Sequence, residues 1–198
     1  MENKITGLSN GQQILEKLIE GNQRYVSLKQ VYPNQTPEHR KKLCKGQSPS
    51  AVILGCSDSR IPPEIIFDQG LGDLFVVRVA GNIIDTAVLG SIEYAVSELH
   101  TPLVMVLGHS QCGAVKATVA GNNLEGHLSD LTAAILPAMN SIQNRTKNIV
   151  DNTAKANVKM VSEQLKQSTP ILSRCIQDNR LTVVSAFYNL DTGLVEIL

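Results

Sequence analysis

The stretch Cys56-Ser57-Asp58-Ser59-Arg60 sets a thiol, two hydroxyls, a carboxylate and a guanidinium directly behind the apolar run AVILG at 51–55. A second polar stretch, His109-Ser110-Gln111-Cys112, follows another apolar run, LVMVLG at 103–108. Thiolate and imidazole are ligands for borderline metals. Cys56, His109 and Cys112 together form a set that suits zinc, with Asp58 or water as fourth donor. His109 and Cys112 stand three apart at the expected start of a helix, a spacing that puts both side chains on one face of its first turn. The partial positive charge of that helix end favours the Cys112 thiolate.

Two thiolates cancel the charge of a divalent cation and weaken it as a Lewis acid, so water on such a metal needs help to react. Asp58, two residues beyond a ligand, can accept that water's hydrogen bond. Arg60 keeps Asp58 ionised and oriented through a two-pronged contact. The opposite state is open as well: once free of Arg60, Asp58 can coordinate the metal itself and close the site. Ser57 and Ser59 read as turn formers. A phosphatase-type loop needs a wider gap between thiol and arginine than Cys56 and Arg60 offer, and the sequence holds no CxxC redox motif.

Strands must deliver these groups. Four short β-branched runs at 51–55, 74–80, 103–108 and 181–189 are predicted strands, and the segments between them read as helices, notably 84–99 and 113–119. Strands that are apolar throughout and joined by helices indicate a parallel sheet covered on both faces, an α/β domain. Functional groups in such sheets collect at the carboxyl ends of strands. Cys56 therefore converges on His109 and Cys112 if the first and third strands are neighbours.

Residues 12–26 carry Ile14, Leu15, Leu18, Ile19 and Tyr25 at helical spacing, with Asn10 available as cap. The apolar stripe of this amino-terminal helix needs a surface to cover, either this domain or a partner. A short helix is expected at 37–44 and two or three helices across 129–177. Asp191, Thr192 and Gly193 form a hairpin turn into a final antiparallel strand that starts near Leu194.

Over 198 residues, 18 Lys and Arg balance 18 Asp and Glu, and the scattered basic residues give no footprint for nucleic acid. Charges interrupt the amino-terminal apolar residues, and the longest apolar runs, about six residues, fall far short of a membrane span. The expectation is a soluble cytoplasmic protein of one domain with no membrane partner. In a reducing compartment its four cysteines are metal ligands, catalytic thiols or core residues rather than disulfides. Cys44 and Cys175 lack metal-spaced partners and are read as core or surface thiols. His100 and His127 are read as surface residues or proton relays.

CSDSR at 56–60, GHSQCGAV at 108–115 and the intervening LFVVRVAGN and SIEYAV resemble the β-class carbonic anhydrases, from about residue 12 to the final strand. The resemblance implies a zinc enzyme that reversibly hydrates CO2 to bicarbonate and a proton. Its ligands are Cys56, His109 and Cys112, and Asp58 with Arg60 is the dyad that orients the hydroxide. It further implies a sheet of order 2-1-3-4 with an antiparallel carboxy-terminal edge strand. The expected organisation is a helical arm over 1–45 that grips a partner and a zinc-binding catalytic core over 46–198, assembled as homodimers or homotetramers.

By the same resemblance the substrate pocket lies at the dimer interface, lined by Gln47, Phe75, Ala80, Tyr94 and Gly113. Gln47 could donate to a bicarbonate oxygen, while Phe75 and Tyr94 wall an apolar slot. One departure is informative. A bicarbonate-inhibited subgroup of the family has tryptophan where this chain has Ile53, and this chain contains no tryptophan. An open site with Asp58 held by Arg60 is therefore expected. Two other readings share these residues: a hydrolase of carbonyl sulfide or carbon disulfide, and a non-catalytic zinc or bicarbonate-binding module.

Overall fold

The computed structural model describes residues 9–121, 124–143 and 148–198; residues 1–8 of the expected arm lie outside them. Two helices, α1 (Asn10–Val26) and α2 (Pro37–Leu43), precede β1 (Ala51–Gly55), α3 (Pro63–Ile66) and β2 (Leu74–Arg78). A single 3-10 turn (Ala80–Asn82) leads to α4 (Thr86–Ser97), β3 (Leu103–His109) and α5 (Gly113–Ala120). Then come α6 (Leu128–Asn140), α7 (Ile149–Gln167), α8 (Ile171–Gln177), β4 (Thr182–Tyr188) and β5 (Val195–Ile197).

The five strands form one sheet in the order β2-β1-β3-β4-β5. The first three pairings are parallel, and β5 closes the edge antiparallel to β4. Every residue of β1 and β3 is buried. Alternate residues feed opposite layers, as strand pleating requires. Ile53 and Met105 pack with Leu15 and Leu18 of α1 and with Phe67. Val52, Leu54, Val104 and Val106 pack with Ile92 and Val96 of α4 and with Val158, Val161 and Leu165 of α7. Covered on both faces, β1 and β3 become neighbours, which is the condition the metal site needed.

The amino-terminal helix begins at Asn10, two residues before the expected start, because Ser9 rather than Asn10 is the cap, its Oγ accepting from the Gln12 N–H at 3.3 Å. It is seated on its own chain. A Cβ at Gly21 would overlap the Phe67 carbonyl, so glycine is what lets α1 approach α3. Asn22 is buried and bridges two segments, donating to the Ile66 and Gly193 carbonyls at 3.2 and 2.9 Å and accepting from the Val195 N–H at 2.9 Å. Arg24 Nε donates to buried Asp68 at 2.7 Å, and the Asp68 carboxylate also accepts from the Val31 and Tyr32 N–H groups.

Candidate metal centre

Three side chains far apart in sequence meet where β1 and β3 end. One donor atom from each of Cys56, His109 and Cys112 lies within 4.8 Å of the others, and all three residues are buried. The two sulfurs are 4.0 Å apart. A tetrahedral zinc ion about 2.3 Å from each sulfur spaces them by about 3.8 Å, so the pair already has the separation the metal requires. His109 Nδ1 lies 2.9 Å from the Ser110 carbonyl. That contact places the ring proton on Nδ1 and leaves the Nε2 lone pair free. Nε2 is buried without a hydrogen-bond partner, and a metal would satisfy it.

The local route to this arrangement differs from the expected helical turn. His109 is the last residue of β3 rather than part of a helix. Gln111 adopts a left-handed conformation, φ 58°, with its N–H held by Asp151 Oδ1 at 3.0 Å, and this tight turn brings Cys112 back beside the histidine. Cys112 then takes the cap position of α5, which sets its sulfur beside the first N–H groups of that helix.

The two neighbouring sulfurs push each other's ionisation in opposite directions. Hydrogen bonding from Cys112 pulls Cys56 far below the ordinary thiol range; burial opposes the shift, while the Gly81 N–H assists it. The same contact with Cys56, together with burial, pushes Cys112 up, and the Ala114 and Val115 N–H groups of the α5 terminus partly offset that. A divalent cation held here would favour the thiolate form of both cysteines.

Beside the cluster, Arg60 grips Asp58 with two parallel bonds, Nε to Oδ1 at 2.9 Å and Nη2 to Oδ2 at 2.7 Å. The Arg60 side chain holds the Asp58 carboxyl well below the usual carboxylate range, outweighing partial burial. Asp58 Oδ2 is 4.0 Å from His109 Nε2. Sequence reading gave no role to two residues that brace this loop. Arg78 donates to the Cys56 carbonyl at 2.9 Å and to the Asp58 carbonyl at 2.6 Å. Gly81 donates its N–H to Cys56 Sγ at 3.2 Å. Both lie in the LFVVRVAGN stretch, where Gly81, a glycine just past a strand, was the available signal, whereas Arg78 is the last residue of β2 itself.

The five expected pocket residues divide into two groups. Ala80 opens the 3-10 turn next to Gly81, and Gly113 follows Cys112, so both border the cluster. Phe75 and Tyr94 face each other with ring centroids 6.3 Å apart, but Phe75 pairs with Val52, towards the other end of the strands. Gln47 is exposed in the loop before β1, whereas Cys56 follows β1. Five strand residues separate the two positions, roughly 16 Å of rise.

A family model described as carbonic anhydrase matches residues 51–195, a span that contains every donor of this centre. The chain belongs to the β-class carbonic anhydrases. Carbonic anhydrase 2 of Mycobacterium tuberculosis is 44% identical over 89% of this chain and 87% of its own length. The carbonic anhydrase of Mycolicibacterium smegmatis is 41% identical over 91% of this chain and 89% of its own. Among solved structures, a tetrameric β-carbonic anhydrase of Sordaria macrospora superposes with a TM-score of 0.76 at 26% identity, covering 94% of this chain and 97% of that one. The β-carbonic anhydrase CafA of Aspergillus fumigatus gives 0.74 at 28% identity, covering 94% and 90%. Among the described residues, no helix of this carbonic anhydrase is long and apolar enough to cross a membrane.

Proposed function

We propose that this chain hydrates CO2 reversibly to bicarbonate and a proton at a zinc ion held by Cys56, His109 and Cys112. The observation that carries the reading is the convergence of two sulfurs and an unpartnered buried imidazole nitrogen at the carboxyl ends of adjacent strands. Zinc, when bound, supplies Lewis acidity that brings the ionisation of water towards neutral pH.

The protein's own groups do the remaining work. The Ser110 carbonyl fixes the His109 tautomer. Asp58, acceptor-only while ionised, takes a hydrogen bond from the attacking oxygen and turns its lone pair towards CO2. Arg60 keeps that carboxylate charged and restrains it from reaching into the metal position, which favours an open site. Arg78 fixes the backbone on which both depend.

Gln47 sits at the wrong end of β1 to serve the Cys56 of its own chain, so its role as a donor to bicarbonate calls for a second copy. A homodimer or homotetramer follows, with Phe75 and Tyr94 walling the apolar approach for CO2 from the subunit boundary. The site of action we propose is the cytoplasm.

Stopped-flow CO2 hydration, with zinc measured on the same sample, tests the reading. Zinc-dependent turnover is expected. Stoichiometric zinc without turnover would make the centre a binding module, and preferential turnover of carbonyl sulfide or carbon disulfide would replace the substrate.

A further inference from the structure

The Gly81 N–H that reaches Cys56 Sγ belongs to a residue with little reason of its own to stay in place. Gly81 is left-handed, φ 72°, inside the short turn after β2. A Cβ there would come 2.7 Å from Ile135 Cδ1 and 3.1 Å from the Ala114 Cβ, so the position requires glycine for conformation and for space. Glycine also brings freedom, since both signs of φ are open to it. Something else must hold the peptide.

The candidate lies on α7, 76 residues away. Asn157 is 1% exposed, and its Nδ2 donates to the Gly81 carbonyl at 2.9 Å. Its Oδ1 is buried without a partner. An apolar residue would avoid the cost of leaving that atom unsatisfied, and would pack with the Ala154, Val158 and Val161 that α7 also buries. The amide is therefore placed for its one bond. Helix α7 is a firm support: Ser185 Oγ of β4 donates to Ser162 Oγ at 2.8 Å, and Val158, Val161 and Leu165 are fully or almost fully buried against the sheet.

We propose that Asn157 is a positioning residue for the metal centre: its amide pins the Gly81 carbonyl, and the pinned glycine keeps its N–H on the Cys56 sulfur. That N–H draws electron density from the thiolate, so the asparagine tunes how strongly Cys56 donates to a metal it never touches. The inference rests on the metal-ligand reading of Cys56, His109 and Cys112.

The test compares Asn157→Leu and Asn157→Asp, which both remove the donor, with Thr153→Val, which alters another fully buried polar residue of α7. Zinc affinity is measured by competition with a chromophoric chelator, and the sulfur-to-metal charge-transfer band is recorded on the cobalt-substituted protein. Each Asn157 variant that folds is expected to lose roughly 10- to 100-fold in zinc affinity and to shift the band, while Thr153→Val changes neither. Parent-like affinity and an unmoved band in a folded Asn157 variant overturn the proposal, even if its melting temperature falls. Equal shifts in Thr153→Val overturn it too, because they would reduce Asn157 to general packing. Failure of the parent protein to bind either metal instead sinks the metal-ligand reading beneath it.

Discussion

Arg60 holds Asp58 at both carboxylate oxygens, at 2.9 and 2.7 Å, while Oδ2 of the same carboxylate stands 4.0 Å from His109 Nε2. The pair thus sits at the edge of the metal position without entering it. A carboxylate so held is an orienting acceptor, and its depressed pKa makes it a poor proton store.

Asp58→Asn should keep its zinc and lose most of its activity. The amide has one acceptor oxygen and presents an NH2 group where an acceptor is required. A loss on the order of a hundredfold or more in kcat/KM is expected, read by stopped-flow hydration with zinc quantified in parallel. Near-parental turnover would remove Asp58 from the mechanism.

Gly81→Ala should weaken both fold and site. The new methyl group meets Ile135 and Ala114, and alanine disfavours φ 72°. A stability loss of about 1–3 kcal/mol is expected by urea unfolding, with zinc affinity falling alongside. Unchanged zinc affinity would detach the Gly81 N–H from the function of Cys56.

Asp68 sets a pH dependence independent of the metal. Burial would raise its carboxyl, yet Arg24 and the Val31 and Tyr32 N–H groups outweigh that and leave its pKa below the ordinary value. The carboxylate therefore stabilises the fold at every pH above the unfolded pKa, about 3.9, and that contribution fades as pH falls through the lower folded value. Asp68→Asn should cost about 1–3 kcal/mol at pH 7, and the gap to the parent should narrow below about pH 4. A gap independent of pH would mean that the charge contributes nothing.

Mixed oligomers test whether Gln47 acts across the subunit boundary. Gln47→Ala and Asp58→Asn chains should each be impaired alone. In a two-fold dimer joining one of each, one site has an intact Asp58 and an intact Gln47, whereas the other has neither. Co-refolding equal amounts should restore roughly a quarter of the parental rate under random pairing. No recovery in verified mixed dimers would place Gln47 in its own chain's site or outside catalysis.

The elements were legible where the physics is local. Apolar runs marked β1 to β4 within two residues of their ends, most cleanly for β1 and β3, where burial on both faces leaves no polar alternation. The hairpin turn into β5 was marked by Asp191, Thr192 and Gly193. The link from His109 to Cys112 was misjudged, since a spacing of three suits a helical turn and also suits the tight turn that Gln111 makes at positive φ. Arg78 and Asn157 gave no usable local signal, for each acts through a bond to the backbone of a distant segment, and any exposed arginine or helical asparagine looks the same in sequence.

By itself the sequence determined which chemical groups were available: two thiols and an imidazole at strand ends, a carboxylate and a guanidinium two residues apart, and apolar runs that had to be buried. Only the tertiary structure decided that Cys56 and Cys112 come within 4.0 Å, that Gly81 and Asn157 stand behind them, and that Gln47 lies beyond the opposite end of β1. The reason is one of range. Side-chain type and backbone preference are set by a few neighbouring residues, whereas a metal site is closed by the pairing of β1 with β3 and the docking of α7, contacts whose partners lie tens of residues away along the chain.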